Sequence, residues 1–123
     1  MLEEELLRKT SKLRAILTHE VFHFAWARAG NPVRQGWADL LTEELASGAR
    51  GELGESAEVA KQWFAELRHV RSWKNYVCES FCDTASWYFS DRRITVSLAT
   101  RWRSKRANWF REWCTSCPEG IWV

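Results

Sequence analysis

With 123 residues, 46% of them apolar, nine tryptophans and a formal charge of +2, the chain can build one core but has no room for two lobes around a cleft. No apolar run approaches the roughly 20 residues of a membrane helix. The opening Leu2-Glu3-Glu4-Glu5-Leu6-Leu7 also lacks the basic start and cleavage site of a secretion signal, so a single cytoplasmic domain over residues 1–123 is expected.

Leu2 to about Ala29 reads as one long helix or two abutting ones, with Thr10 or Ser11 as a candidate internal cap. Near its end stands His19-Glu20-Val21-Phe22-His23, an H-E-x-x-H pattern. On a helix its two imidazoles lie one turn apart on one face and can reach one divalent ion, while Glu20 stands beside them as a base for a metal-held water. Ile16, Leu17, Val21, Phe22, Phe24, Ala25 and Trp26 cover most of the circumference, which predicts a buried helix. Buried His and Glu side chains need a partner, and a metal would supply one. The plainer alternative is a pair of core histidines bonded to backbone.

Gly30-Asn31-Pro32 ends this helix, and Val33 to Ser47 forms the next, with Trp37, Leu40, Leu41 and Leu45 at helical spacing. After the loop of Gly48, Gly51 and Gly54, Ser56 is placed to cap a helix from Ala57 to about His69 that turns Val59, Trp63, Phe64 and Leu67 inward. Residues 70 to 90 form a fourth helix. Val70, Trp73, Val77, Phe81 and Tyr88 fall on one side of it, and Ser72, Asn75, Tyr76, Glu79, Asp83, Ser86 and Ser90 on the other. Residues 93 to 98 alternate and could form one short strand, and Ala99 to Trp113 is a last helix. The fold class is mainly α, with at most one short strand or hairpin.

A catalytic zinc needs a third protein ligand and one open position. The position six residues after His23 is Ala29, which excludes the metzincin pattern. Glu79 and Asp83, four apart, share a helical face that is either the wall of a metal cleft or simply solvated. Asp39, Glu43, Glu44 and His69 are the rival donors.

In His19-Glu20-Val21-Phe22-His23 followed by Glu79-Ser80-Phe81-Cys82-Asp83, the chain resembles the gluzincin, or thermolysin-like, group of zincin metallopeptidases, whose second metal helix carries E-x-x-x-D. The resemblance covers two short segments. It implies a minimal zincin-like helical domain with Zn2+ on His19, His23 and Glu79, and Asp83 holding the outward nitrogen of a ligating histidine, His19 in preference. It further implies a peptide or protein substrate, with Glu20 passing a proton from water to the leaving group. Tyr76, Tyr88 and His69 are the candidate oxyanion donors. Zincin peptidases lay the substrate on a sheet edge that precedes the first metal helix, yet the eighteen residues before His19 read as helix. An edge would have to come from residues 93 to 98, a loop or another subunit, so a non-catalytic zinc-binding relative is the alternative.

Two features stand outside that resemblance. Cys78, Cys82, Cys114 and Cys117 are expected as reduced thiols, with a four-cysteine zinc or a Cys114 to Cys117 disulfide as lesser alternatives. Residues 92 to 113 carry seven basic side chains, no acidic one before Glu112, and Trp102 and Trp109 between them. Such a stretch could bind nucleic acid, although a docked helix with its arginines in water, pairing with Glu3, Glu4 and Glu5, is the commoner outcome.

Overall fold

The computed structural model describes residues 2–90 and 96–116. Five helices, α1 (Leu2–Arg28), α2 (Asn31–Ala46), α3 (Glu55–Leu67), α4 (Val70–Tyr88) and α5 (Thr100–Ser116), make a mainly α fold, and no strand occurs among the described residues. Among the described residues no helix is long and apolar enough to cross a membrane.

Helix α4 is the hub on which the other four pack. Its sequence explains why, because it carries apolar or small residues on nearly every side, and Tyr76, Val77, Ser80, Phe81, Cys82 and Ala85 are all buried. Around Phe81 gather the rings of Phe22, Trp26, Trp37, Trp109, Phe110 and Trp113, at centroid separations of 4.8 to 6.0 Å in mostly tilted or edge-on arrangements. That spacing suits aromatic quadrupoles. Helix α2 is tied to the hub by Trp37 Nε1 donating to Ser80 Oγ at 2.9 Å, and α1 by Ser86 Oγ donating to the Ala15 carbonyl at 2.9 Å. Arg34 of α2 reaches back to the carbonyls of Trp26 and Ala27 at 3.0 and 2.6 Å, capping the end of α1.

Behind the hub lies a buried ionic cluster. Arg106 of α5, with no exposed surface, gives all five of its N–H bonds to Glu44, Glu52 and Thr84 at 2.7 to 3.0 Å. Tyr76 donates its hydroxyl to Glu52. Burial pushes the Glu52 carboxyl up, but the charge and hydrogen bonds of Arg106 outweigh it and hold Glu52 below its ordinary value. The loop bearing Glu52 is pinned to residue 97: Glu52 N donates to Ser97 Oγ at 2.9 Å, and Gly51, with φ of +88°, passes so close to Ser97 that any Cβ would collide.

Several sequence expectations change. The circumference of α1 is not buried: Ile16, Leu17, Val21 and Phe24 are 42 to 62% exposed, because the stripe that faces α4 is that of Ala15, His19, Phe22, His23, Ala25 and Trp26. Thr10 is no cap, since its hydroxyl bonds back to the Leu6 carbonyl within one unbroken helix. Helix α2 begins at Asn31, where Pro32 occupies the first turn and starts a helix instead of only ending one. In α3 the inward face is Ala57, Ala60 and Phe64, while Val59, Trp63 and Leu67 are exposed. Small residues face α4 there because the two helices lie close. Val70 is also exposed and Tyr76 buried, the reverse of their expected sides. Residues 97 and 98 are a bend and Val96 is irregular, with Leu98 packed among Leu53, Trp87 and Trp102, and the rest of the expected strand, like Cys117, lies outside the described residues.

Candidate metal centre

Two adjacent helices build the site. α1 presents His19, Glu20 and His23 from successive turns, and α4 answers with Glu79 and Asp83, also one turn apart. Packing of Phe22 and Trp26 on Phe81 fixes the separation of the two helices, so the polar faces meet as a consequence of the apolar ones.

The three expected ligands converge. His19 Nε2 lies 3.1 Å from Glu79 Oε2 and 3.1 Å from His23 Nε2, and His23 Nε2 lies 3.5 Å from Glu79 Oε1. Donors about 2.0–2.2 Å from a tetrahedral ion stand roughly 3.3–3.6 Å apart, so the observed spacing needs only small adjustment to enclose one. The tautomers matter as much as the distances. Asp83 Oδ1 sits 2.6 Å from His19 Nδ1, and an ionised carboxylate only accepts, so the His19 proton is on Nδ1. Nε2 then offers a lone pair to a neighbour, Glu79 Oε2, that is buried, has no hydrogen-bond partner and likewise offers only lone pairs. Acceptors facing one another repel unless a proton or a cation lies between them, and a shared cation removes the conflict at this spacing. The residues therefore fit a divalent ion.

Asp83 has a second task. Its Oδ2 accepts the Ala57 backbone N–H at 2.8 Å, which makes it the side-chain cap of α3, whose own flanking residue, Gly54, cannot supply one. Ser56, the expected cap, is exposed and does not act as one. A Cβ on Gly54 would overlap the Asp83 carboxylate. Burial raises the Asp83 carboxyl above its ordinary value, against the pull of the Ala57 amide and His19.

Glu20 is exposed and shares with His19 and Asp83 a cleft of about 380 Å³ walled by Ile16, Leu53, Trp87 and Val96. The rival ligands are elsewhere. Asp39 bonds Gln35, Glu43 pairs with Lys105 on the surface, Glu44 is committed to Arg106, and His69 caps the start of α4. The expected oxyanion donors are absent from the cleft as well. Tyr76 is consumed by Glu52, with its hydroxyl pushed to a higher pKa by burial and by that charge, and the Tyr88 ring stacks on Phe110.

Sequence reasoning did not assign the two cysteines of α4 to this place. Cys78 Sγ approaches His23 Nδ1 at 3.6 Å, and a donor atom on each of His19, His23 and Cys82 lies within 4.8 Å of the other two. Their spacing on either side of Glu79 was the available signal. Both are free thiols, as is Cys114. Contact with Cys82 lowers the Cys78 thiol pKa against the opposing effect of burial, and the same contact, with burial, raises that of Cys82.

No protein-family model, curated protein sequence or solved structure matches the chain. Its function has to be argued from these residues.

Proposed function

We propose that His19, His23 and Glu79 hold one zinc ion and that the protein is a zinc-dependent hydrolase of peptide bonds. The observation that carries the reading is the convergence of two imidazole nitrogens and the two oxygens of the Glu79 carboxylate at 3.1 to 3.5 Å, with Asp83 at the outward nitrogen of His19. Two nitrogens and a carboxylate oxygen suit zinc and match a three-ligand catalytic set. When bound, zinc supplies Lewis acidity, acidifying water and polarising a carbonyl.

The remaining work falls to the chain. Glu20, exposed on the cleft beside His19, takes a proton from the attacking water and returns it to the leaving amine. Ile16, Leu53, Trp87 and Val96 offer an apolar wall for a substrate side chain, and Lys12 stands at the same cleft to meet an acidic group. With Tyr76 and Tyr88 turned to other partners, no described tyrosine serves the oxyanion there.

A second reading is favoured by one observation. Cys82 lies within ligand reach of both histidines, and a thiolate in the fourth position would close the site to water and leave a structural zinc. The basic stretch of α5 offers less for nucleic acid than its sequence suggests: Trp102 is buried, Trp109 packs into the aromatic core, and Arg106 is spent on two glutamates.

Metal content and a single substitution distinguish these readings. Elemental analysis of the purified protein should give one zinc per chain, and Glu20→Gln should keep the zinc while lowering hydrolysis of a peptide library about 10²-fold or more. A zinc-loaded protein that hydrolyses nothing supports the closed, structural site. Zinc absent from the wild-type protein even after incubation with excess ion would overturn both.

A further inference from the structure

The two imidazoles of the site are not held alike. His19 has Asp83 at its outward nitrogen, but among the described residues no carboxylate or carbonyl is found within hydrogen-bonding distance of His23 Nδ1. What stands there is Cys78, its Sγ 3.6 Å away, a normal separation for a bond to the larger sulfur atom. Cys78 is one residue before Glu79, so the helical turn that delivers the carboxylate to one nitrogen of His23 delivers the sulfur to the other. A histidine ring pinched between the two has little freedom to flip. Ligating histidines need such a partner, because the outward N–H bond selects the tautomer and steers the free lone pair toward the ion.

We propose that Cys78 is the positioning residue for His23, its sulfur accepting the Nδ1–H bond so that Nε2 faces His19 and Glu79. The inference rests on the reading of the three donors as a cation site. It gives the centre an asymmetric support, a hard carboxylate behind one histidine and a soft thiol behind the other. Cys78 is half-buried, whereas Cys82 behind it is fully buried, so the supporting thiol is the more accessible of the two.

The test begins with the zinc-loaded protein. There the His23 Nδ1 proton should be visible by NMR and exchange slowly with solvent, and Cys78→Ala should speed its exchange. Competition titration with a zinc chelator should then give an affinity about 10- to 100-fold lower for Cys78→Ala. Cys78→Ser, whose hydroxyl can accept the same bond, should recover part of the loss, and Cys82→Ala should retain most of the wild-type affinity. A wild-type protein that takes up no zinc would defeat the metal reading, whereas zinc uptake with equal affinities for wild type and Cys78→Ala would overturn this proposal alone. Equal exchange rates of the His23 Nδ1 proton in the two loaded proteins would overturn it as well. Loss of zinc in Cys82→Ala with none in Cys78→Ala would do so too, making Cys82 a ligand. Should Cys78→Ala fail to fold, Cys78→Ser carries the same decision through its zinc affinity and its Nδ1 proton exchange.

Discussion

Glu79 and Asp83 are both carboxylates on one helical face, yet their surroundings give them opposite roles. Asp83 is saturated with donors, a ring N–H at one oxygen and the Ala57 amide at the other, while Glu79 faces imidazole nitrogens with a buried oxygen that has no partner. This difference predicts different behaviour for the two amide variants. Glu79→Gln supplies an N–H to His19 or His23, so it should abolish tight zinc binding and yet stabilise the metal-free protein by about 1 kcal/mol. Urea titration in the presence of EDTA measures the second effect, and an unchanged or lowered midpoint would contradict the lone-pair conflict. Asp83→Ala removes a histidine support and a helix cap together. It should weaken zinc binding roughly 10- to 100-fold and also cost about 1 kcal/mol of metal-free stability through the lost cap. A loss of affinity with stability untouched would show that the cap contributes nothing.

Among the elements, the start of α3 is tied to the metal centre by the shared carboxylate. Gly54→Ala puts a methyl group where the Asp83 carboxylate lies, and overpacking of that kind costs roughly 1–3 kcal/mol. Since the carboxylate must shift, zinc affinity should fall with stability, although residue 54 touches no ligand. Calorimetric unfolding and a chelator competition on the same sample would check both; a stable variant with full affinity would mean that Asp83 can move freely. The helices themselves were legible because they rest on local signals, among them the apolar period of α2, Gly30 between α1 and α2 and Pro32 in the first turn of α2. The faces of α1 and α3 were not. Apolar residues ring α1 from Ile16 to Phe24, and periodicity cannot say which half of a ring finds a partner when α4 is its main neighbour.

Across the whole molecule, the Arg106 cluster joins α2, the loop before α3, α4 and α5 in one buried network. Replacing Arg106 by Leu would strand two carboxylates in the core and should cost about 3–5 kcal/mol. The same network sets the acid limb of stability. Glu52 titrates below its ordinary 4.5 in the fold, so its contribution is complete above about that pH and is lost as pH falls toward the folded value. Asp83, raised in the fold, works in the opposite sense: it binds its proton more readily folded than unfolded and offsets part of the acid loss in the metal-free protein. Denaturation midpoints measured from pH 6 to pH 3 should fall for the wild type and fall less for Glu52→Gln, which starts lower at pH 6. Parallel curves would remove Glu52 from the acid response.

The sequence by itself determined the helical class and the meeting of His19 with His23, since residues four apart on one helix must share a face whatever surrounds them. It also paired Glu79 with Asp83 for the same reason. Only the tertiary structure decided that these two faces meet each other, because that depends on how Phe22 and Trp26 seat against Phe81. The burial of Arg106 was equally out of reach, since a basic run looks the same in sequence whether its members face water or two glutamates, 54 and 62 residues away. The position of Cys78 behind His23 belongs to that class too: its contact spans 55 residues and exists only because α1 lies against α4.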